Sequence, residues 1–234
     1  MRFDILTLFP EAFSYLSESI IKRAKESGAV EINIYNIRDW AVDKHKTADD
    51  RPFGGGPGML MKFEPIYRTL KSIGVYPQRD ESTKVIFTSP KGKKWVQATA
   101  KEYSESVERL VIICGHYEGV DQRVIDELVD EEISIGDFVL SGGELPAQMI
   151  LYSIVRLLPG VLGNEQSPIK ETEFVDGATI PEAPQYTRPE VYTTEEGKEL
   201  RVPEILLSGN HAEIEKWKQI ESEKLKSLPA EASA

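Results

Sequence analysis

Three short turns combine small residues with a few polar side chains at spacings suited to holding a small molecule. Ser89-Pro90-Lys91-Gly92, Gly115-His116-Tyr117-Glu118-Gly119 and Ser141-Gly142-Gly143 each follow an apolar, β-branched run that reads as a strand. In parallel α/β sheets the ligand crevice lies outside the carboxyl ends of strands. A glycine there lets backbone N–H and C=O groups come close to a ligand where a Cβ would block them. One such turn is weak evidence, whereas three together predict a backbone-lined pocket. A fourth glycine-rich stretch, Asp49 to Met59 (DDRPFGGGPGM), lacks the Lys-Ser/Thr that ends a phosphate-binding loop, and no suitable strand feeds it. The sequence has no Gly-x-Gly-x-x-Gly fingerprint either. Kinase, ATPase and dinucleotide readings are therefore poorly supported, which leaves a ligand held by main-chain contacts, as an adenine and ribose can be. For DDRPFGGGPGM the competing account is a flexible surface loop, though two acids and an arginine ahead of the small residues are unusual in a mere connector.

The elements that must position these turns follow from periodicity. Phe3 to Leu8, Ile32 to Ile37, Lys84 to Thr88, Leu110 to Cys114 and Ile133 to Val139 read as buried strands. Between them Pro10 to Ser27, Phe63 to Ile73, Lys94 to Ser104, Val120 to Val129 and Gly143 to Leu158 read as helices. This alternation predicts a mostly parallel sheet covered on both faces. After Pro159 the character changes: Gly163 to Pro189 is rich in Pro, Gly, Thr and acids and carries no sustained period. The expected organisation is an α/β domain over 1–162, an interdomain linker over 163–175 and a small helical domain over 176–234. In the last, Pro203 to Leu207 and His211 to Ser227 are helical, and Ile214, Trp217, Ile220 and Leu225 share an apolar face.

Composition sets limits on partners and chemistry. The chain has 234 residues, 40% hydrophobic and 29% charged, which is ordinary for a soluble globular protein. The opening MRFDILTLFPEAF fits neither a signal peptide nor a membrane span, so cytoplasmic residence is expected, with no membrane partner. The single cysteine, Cys114, excludes an internal disulfide and a multi-cysteine zinc site and reads as a core residue. A net charge of −11 argues against broad nonspecific nucleic-acid binding. It leaves room for local basic patches, such as Arg38, Lys44, His45, Lys46 and Arg51, or Lys91, Lys93 and Lys94.

DDRPFGGGPGML, CGHYEGVDQRV, SIGDFVLSGGELP, PGVLGNE, PQYTRPEVY and LLSGNHAEIEKW, in this order over nearly the whole chain, closely resemble the bacterial tRNA (guanine-N1)-methyltransferase (TrmD) family. The resemblance implies an α/β fold of the SPOUT class with a deep trefoil knot, a rare exception to the usual threading rule. It implies S-adenosylmethionine as methyl donor, tRNA as substrate, and an obligate homodimer whose active sites use both subunits. The knot loops would then supply Thr88, Ser89, Pro90, Gly115, Glu118, Ile135, Gly136, Phe138, Leu140, Gly142, Gly143 and Pro146 to the donor.

The family reaction methylates N1 of guanosine 37, beside the anticodon. That nitrogen carries a proton at neutral pH, so a general base is needed, worth about 10²–10⁴-fold. Negative charge then builds on O6, where a cation stabilises the transition state. By resemblance Arg156 is that cation; its bland alternative is a surface arginine. Where the family has an aspartate before Ser-Phe, this chain has KETEF: counting from PGVLG gives Glu171, while counting back from Phe174 points to Thr172 or Glu173. Glu171 is the chosen base. Asp50, Arg51 and Gly56 fall in the segment that approaches the target guanosine, and reaching it requires splaying the base from its stack. Asn210 and His211 open the last helix, where N–H groups meet a phosphate or Asn210 simply caps the helix. His116 stands where the family often has arginine, which places any charge role there in question. Magnesium supports the family reaction, yet the sequence shows no metal-ligand cluster. Two rivals are a knotted methyltransferase for another RNA and a non-catalytic RNA-binding protein.

Overall fold

The computed structural model describes residues 1–162, 174–175, 178–179 and 183–226. The chain divides into two compact units, Met1–Glu165 and Gln166–Ala234. The first is built on a five-stranded sheet of β1 (Arg2–Thr7), β2 (Glu31–Asn36), β5 (Thr83–Lys94), β6 (Arg109–Ile113) and β7 (Glu131–Ser134). All pairings are parallel and the order is β2-β1-β6-β5-β7. Two short strands, β3 (Asp49–Asp50) and β4 (Leu60–Met61), pair antiparallel and close the glycine-rich loop.

Alternation along the central strands assigns side chains to two faces. Phe3, Ile5, Ile86, Leu110 and Ile112 pack with α1 (Ser19–Glu26), α3 (Gln97–Ser106) and α5 (Glu144–Val155). Leu6, Val85, Phe87, Val111 and Ile113 pack with α2 (Phe63–Ser72) and α4 (Gln122–Leu128). Both faces are thus covered, which is why these strands read as nearly continuous apolar runs. One charge sits within the layers: the fully buried Asp4 carboxylate is paired with Arg109 (2.7 Å) and Arg2 (3.1 Å) and accepts from Asn33 (3.1 Å). Removing one partner from such a buried network costs roughly 3–5 kcal/mol, so the ends of β1, β2 and β6 are held in register.

Three boundaries differ from the periodicity. The expected helix Pro10 to Ser27 is a 3-10 helix, Pro10–Ser17, followed by α1, with Glu18 extended between them and Ser19, the first residue of α1, at φ 53°. Phe13 and Leu16, three residues apart, share one face at three residues per turn, and both are buried. β7 stops at Ser134 rather than Val139, because the Ser134 hydroxyl donates to the Gly136 carbonyl (3.0 Å) and accepts from the Gly136 N–H (3.3 Å), folding the backbone back. β5 runs past Thr88: after a break in register it pairs again with β7, Lys93 opposite Ile133 and Lys94 opposite Ser134. That pairing takes Lys94 out of the expected helix.

In the second unit Phe174–Val175 (β8) pairs antiparallel with Ala178–Thr179 (β9), and the rest of the expected 163–175 linker lies outside the described residues. A further antiparallel pair, β10 (Val191–Thr193) and β11 (Glu199–Arg201), precedes α6 (Glu204–Leu207) and α7 (His211–Lys226). The helices match the sequence reading; the strand pair was not expected. Gly197 at φ 82° completes its turn, with the Thr194 N–H donating to the Lys198 carbonyl (2.9 Å). Among its described residues none is fully buried, and of the expected α7 face Ile214, Trp217 and Leu225 are half-buried while Ile220 is exposed.

Candidate active site

The break in β5 after Thr88 and the carboxyl ends of β6 and β7, neighbours in the sheet, open onto a cleft of about 410 Å³. That volume lies in the range of small-molecule sites. Thr88, Ser89, Pro90, Gly115, Glu118, Ile135, Gly136, Phe138, Leu140, Gly142, Gly143 and Pro146 all line it. The structure therefore brings together every residue that the sequence assigned to the donor.

The strand ends are stitched to one another. Thr88 Oγ1 accepts from the Gly115 N–H (3.0 Å) and faces the Ile113 carbonyl at 3.4 Å, while the Gly143 N–H donates to the Gly115 carbonyl (2.7 Å). A Cβ on Gly143 would lie 1.9 Å from Thr88 Oγ1 and 2.6 Å from the Gly115 nitrogen; one on Gly115 would lie 2.6 Å from the Thr88 carbonyl oxygen. The sequence reading gave these glycines to ligand approach alone, yet the packing of strand ends on each other already demands them. Gly143 also caps α5, whose first turn carries Glu144 and tolerates Pro146 because that N–H has no partner within the helix.

The rim is made of the loop 115–120 and the base of the glycine-rich loop. The Glu118 N–H donates to the Met59 carbonyl (3.1 Å), the Met61 N–H to the Gly119 carbonyl (2.9 Å), and the Asp121 N–H to the Met61 carbonyl (2.9 Å). Leu60 thereby reaches the cleft, and Tyr117, Gln122 and Glu132 line it too. Tyr117 falls in one of the three turns read from the sequence, but sequence reasoning missed the other three: Gln122 and Glu132 have no local signal, and Leu60 arrives through a contact between distant segments. Tyr117, at φ 58°, has its hydroxyl 3.1 Å from Arg38 Nη2 and donates to Asp49 (3.3 Å). At the start of α4, Asp121 accepts from the Arg123 side chain and backbone, which hold its carboxyl below the usual range.

Electrostatically the cleft is mixed, with Glu118 and Glu132 against Lys91. Beneath it Cys114 is buried, and burial followed by the nearby Glu144 charge pushes its thiol well up, so the sulfur stays protonated and unreactive at neutral pH.

The other candidates lie elsewhere. Asp50 accepts from the Arg51 N–H (2.8 Å), and Asp50, Arg51 and Gly56 are exposed on the glycine-rich loop beside Phe53, which is fully exposed. Arg156 is half-buried at the far end of α5, its N–H donating to the Tyr152 carbonyl (3.2 Å). A 12-residue helix separates it from the cleft floor, a rise of roughly 18 Å. Asn210 and His211 belong to the second unit. There the Asn210 side chain accepts from the Glu213 N–H (3.4 Å), the cap that was the alternative to phosphate binding. Glu171, Thr172 and Glu173 lie outside the described residues. Among the described residues no group of three or more His, Cys, Asp or Glu could hold a metal ion, and no helix is long and apolar enough to cross a membrane.

The family described as tRNA (Guanine-1)-methyltransferase TrmD matches residues 1–228. A protein of Clostridioides difficile (strain 630) named tRNA (guanine-N(1)-)-methyltransferase is 52% identical over 223 residues, covering 95% of this chain and 92% of its own. A Ruminiclostridium cellulolyticum protein of the same name is 51% identical, covering 95% and 91%. One of Staphylococcus haemolyticus is 50% identical, covering 93% and 84%. The chain belongs to the tRNA (guanine-1)-methyltransferase TrmD family.

Proposed function

We propose that this chain methylates N1 of guanosine 37 in tRNA, with S-adenosylmethionine as donor, in the cytoplasm. The observation that carries the reading is the cleft: three adjacent strand ends, stitched by Thr88, Gly115 and Gly143, present backbone groups around one cavity in a chain of this family. The residues fit the donor. Backbone N–H and C=O groups of the three turns would hold adenine and ribose, and Phe138 and Leu140, both partly exposed at the rim, would cover apolar surface. Glu118 and Glu132 favour a cationic ligand. When bound, the donor supplies an electrophilic methyl group.

The chain's own residues do the rest. Glu171 takes the N1 proton of guanine and Arg156 neutralises charge on O6. Arg51 and the exposed Phe53 offer a cation and a stacking surface to the splayed base or its neighbours. Among the described residues no group of three or more His, Cys, Asp or Glu stands ready for magnesium.

The reading includes a homodimer with shared active sites. Two features support it: the helix length separating Arg156 from the cleft of its own chain, and an exposed apolar patch of Tyr15, Leu145 and Met149. Gln148 joins the two elements of that patch by donating to the Ala12 carbonyl (3.2 Å). The trefoil knot is part of the same proposal and rests on the family likeness alone. The second unit, without a fully buried described residue, would gain its packing on tRNA or a second copy.

The test is incubation of the purified protein with labelled donor and two tRNA transcripts, one with guanosine and one with adenosine at position 37. Label is expected in the first alone. Label in both points to another RNA target, and label in neither refutes the enzymatic reading.

A further inference from the structure

At the cleft wall His116, a lining residue, and Glu144 behind it face each other without touching. Nδ1 of His116 is buried and has no hydrogen-bond partner. Glu144 is 8% exposed; its Oε1 accepts from the Thr7 hydroxyl (2.8 Å), and its Oε2 lies 4.0 Å from His116 Nδ1. Gly142 makes room for the pair, since a Cβ there would lie 2.4 Å from Oε2 and 2.8 Å from Nδ1. A buried nitrogen without a partner is costly. An approach of about 1 Å to Glu144 Oε2 would give it one.

The two groups belong to the loops that form the cleft. His116 pairs with Gly142 as an isolated antiparallel bridge, and the Gly143 N–H donates to the Gly115 carbonyl (2.7 Å). Drawing His116 onto Glu144 would tighten the turn at Gly142 and Gly143 against the loop that carries Glu118.

We propose that His116 and Glu144 are a positioning pair for donor binding: ligand closes the cleft and brings His116 Nδ1–H onto Glu144 Oε2. The proposal rests on the reading that the cleft holds the donor. The surroundings make Glu144 the group that decides the charge balance. Phe9 (ring centroids 4.9 Å) packs on the imidazole from the N-terminal segment and Tyr117 (4.9 Å) from its own loop. Cys114, at the end of β6, is held neutral by burial, and the Thr7 hydroxyl from β1 is engaged by Glu144. Arg38 and Asp49 meet the Tyr117 hydroxyl rather than the imidazole, and Glu118 follows on the same loop.

Calorimetric titration with S-adenosylhomocysteine tests this, because its sulfur is uncharged and attraction between a sulfonium and the cleft acids drops out. H116F, which keeps a ring against Phe9 and Tyr117 but has no donor, and E144Q are each expected to bind roughly tenfold more weakly than the wild type, about 1.4 kcal/mol, and the double variant no more weakly than either alone. H116R, which keeps a donor for Glu144, should retain wild-type affinity, a rescue that mere loss of packing would not give. Melting curves establish that each variant is folded at the titration temperature. Wild-type affinity in H116F or E144Q, no rescue in H116R, or additive losses in the double variant would overturn the proposal while leaving the cleft reading intact. No binding by the wild type would remove both.

Discussion

Gly143→Ala is the most direct perturbation of the cleft floor. The new methyl would lie 1.9 Å from Thr88 Oγ1, 2.6 Å from the Gly115 nitrogen and 2.9 Å from Cys114 Cα. The Thr88 side chain could rotate away, but that gives up the bond from the Gly115 N–H (3.0 Å). The other two atoms are backbone of the neighbouring strand end and cannot swing aside. To reach ordinary contact the Gly143 turn must retreat from Gly115 by roughly 0.8 Å, which stretches the 2.7 Å bond between the Gly143 N–H and the Gly115 carbonyl. Overpacking costs about 1–3 kcal/mol, and a weakened buried hydrogen bond adds about 1 kcal/mol. Together they should lower Tm by roughly 5–15 °C for a chain of this size. Donor affinity should fall further, about a hundredfold, because the displaced peptide is itself the lining. Calorimetry with S-adenosylhomocysteine and a thermal melt read the two effects. Gly28→Ala is the control: at φ 75° with open space around it, it carries backbone strain but no clash, so it should cost about 1 kcal/mol and leave affinity unchanged. Wild-type affinity in Gly143→Ala, or its full rescue by adding Thr88→Ala, would refute the reasoning, since the second change clears only the side-chain obstacle.

Three further outcomes are expected. Glu171→Ala should abolish turnover, a loss of at least about a hundredfold, with product affinity unchanged by calorimetry; the same result from Glu173→Ala instead would move the base two residues on. Phe53→Ala should raise the KM for tRNA several-fold with little effect on donor binding, because a fully exposed aromatic ring contributes nothing to the fold yet is worth about 1–3 kcal/mol when a base stacks on it; unchanged tRNA kinetics would remove that contact. Cys114, buried and with its thiol pushed up, should resist a thiol reagent at neutral pH in the folded protein and react stoichiometrically in denaturant; rapid labelling of the native protein would contradict its placement.

Most of the first unit was legible because its chemistry is local. Ile112 and Val111 are buried on opposite faces of one strand, so the run around them is apolar throughout, and the turns that follow carry their glycines in sequence. What escaped notice depends on contacts between distant segments. Leu60 reaches the cleft because Met61 bonds to Gly119 and Asp121, and the Tyr117 hydroxyl is set by Arg38, 79 residues away. Strand extent was misjudged where side chains overruled propensity: Val139 looks like a strand residue, but the Ser134 hydroxyl had already turned the chain at Gly136. In the second unit Val191–Thr193 and Glu199–Arg201 are exposed throughout, so no alternation of burial marks them as strands.

The assignment of Arg156 by motif and its position on α5 together make a claim about quaternary structure. An arginine roughly 18 Å along a rigid helix from the cleft floor serves that cleft poorly, whereas a symmetric partner can present the same residue to it. The two arrangements separate by complementation. Gly143→Ala spoils a cleft, and Arg156→Ala spoils the cation. If Arg156 acts in its own chain, a heterodimer of the two variants has one spoiled cleft and one intact cleft without its arginine, so it is inactive. If Arg156 acts across the interface, the intact cleft receives the intact arginine and one site of the two works. Random exchange of subunits then restores about a quarter of wild-type sites, from two preparations each nearly inactive alone. Mixed protein that stays inactive, while exchange is verified by mass, would show that each chain supplies its own arginine and that the helix end reaches the cleft by a route other than the partner.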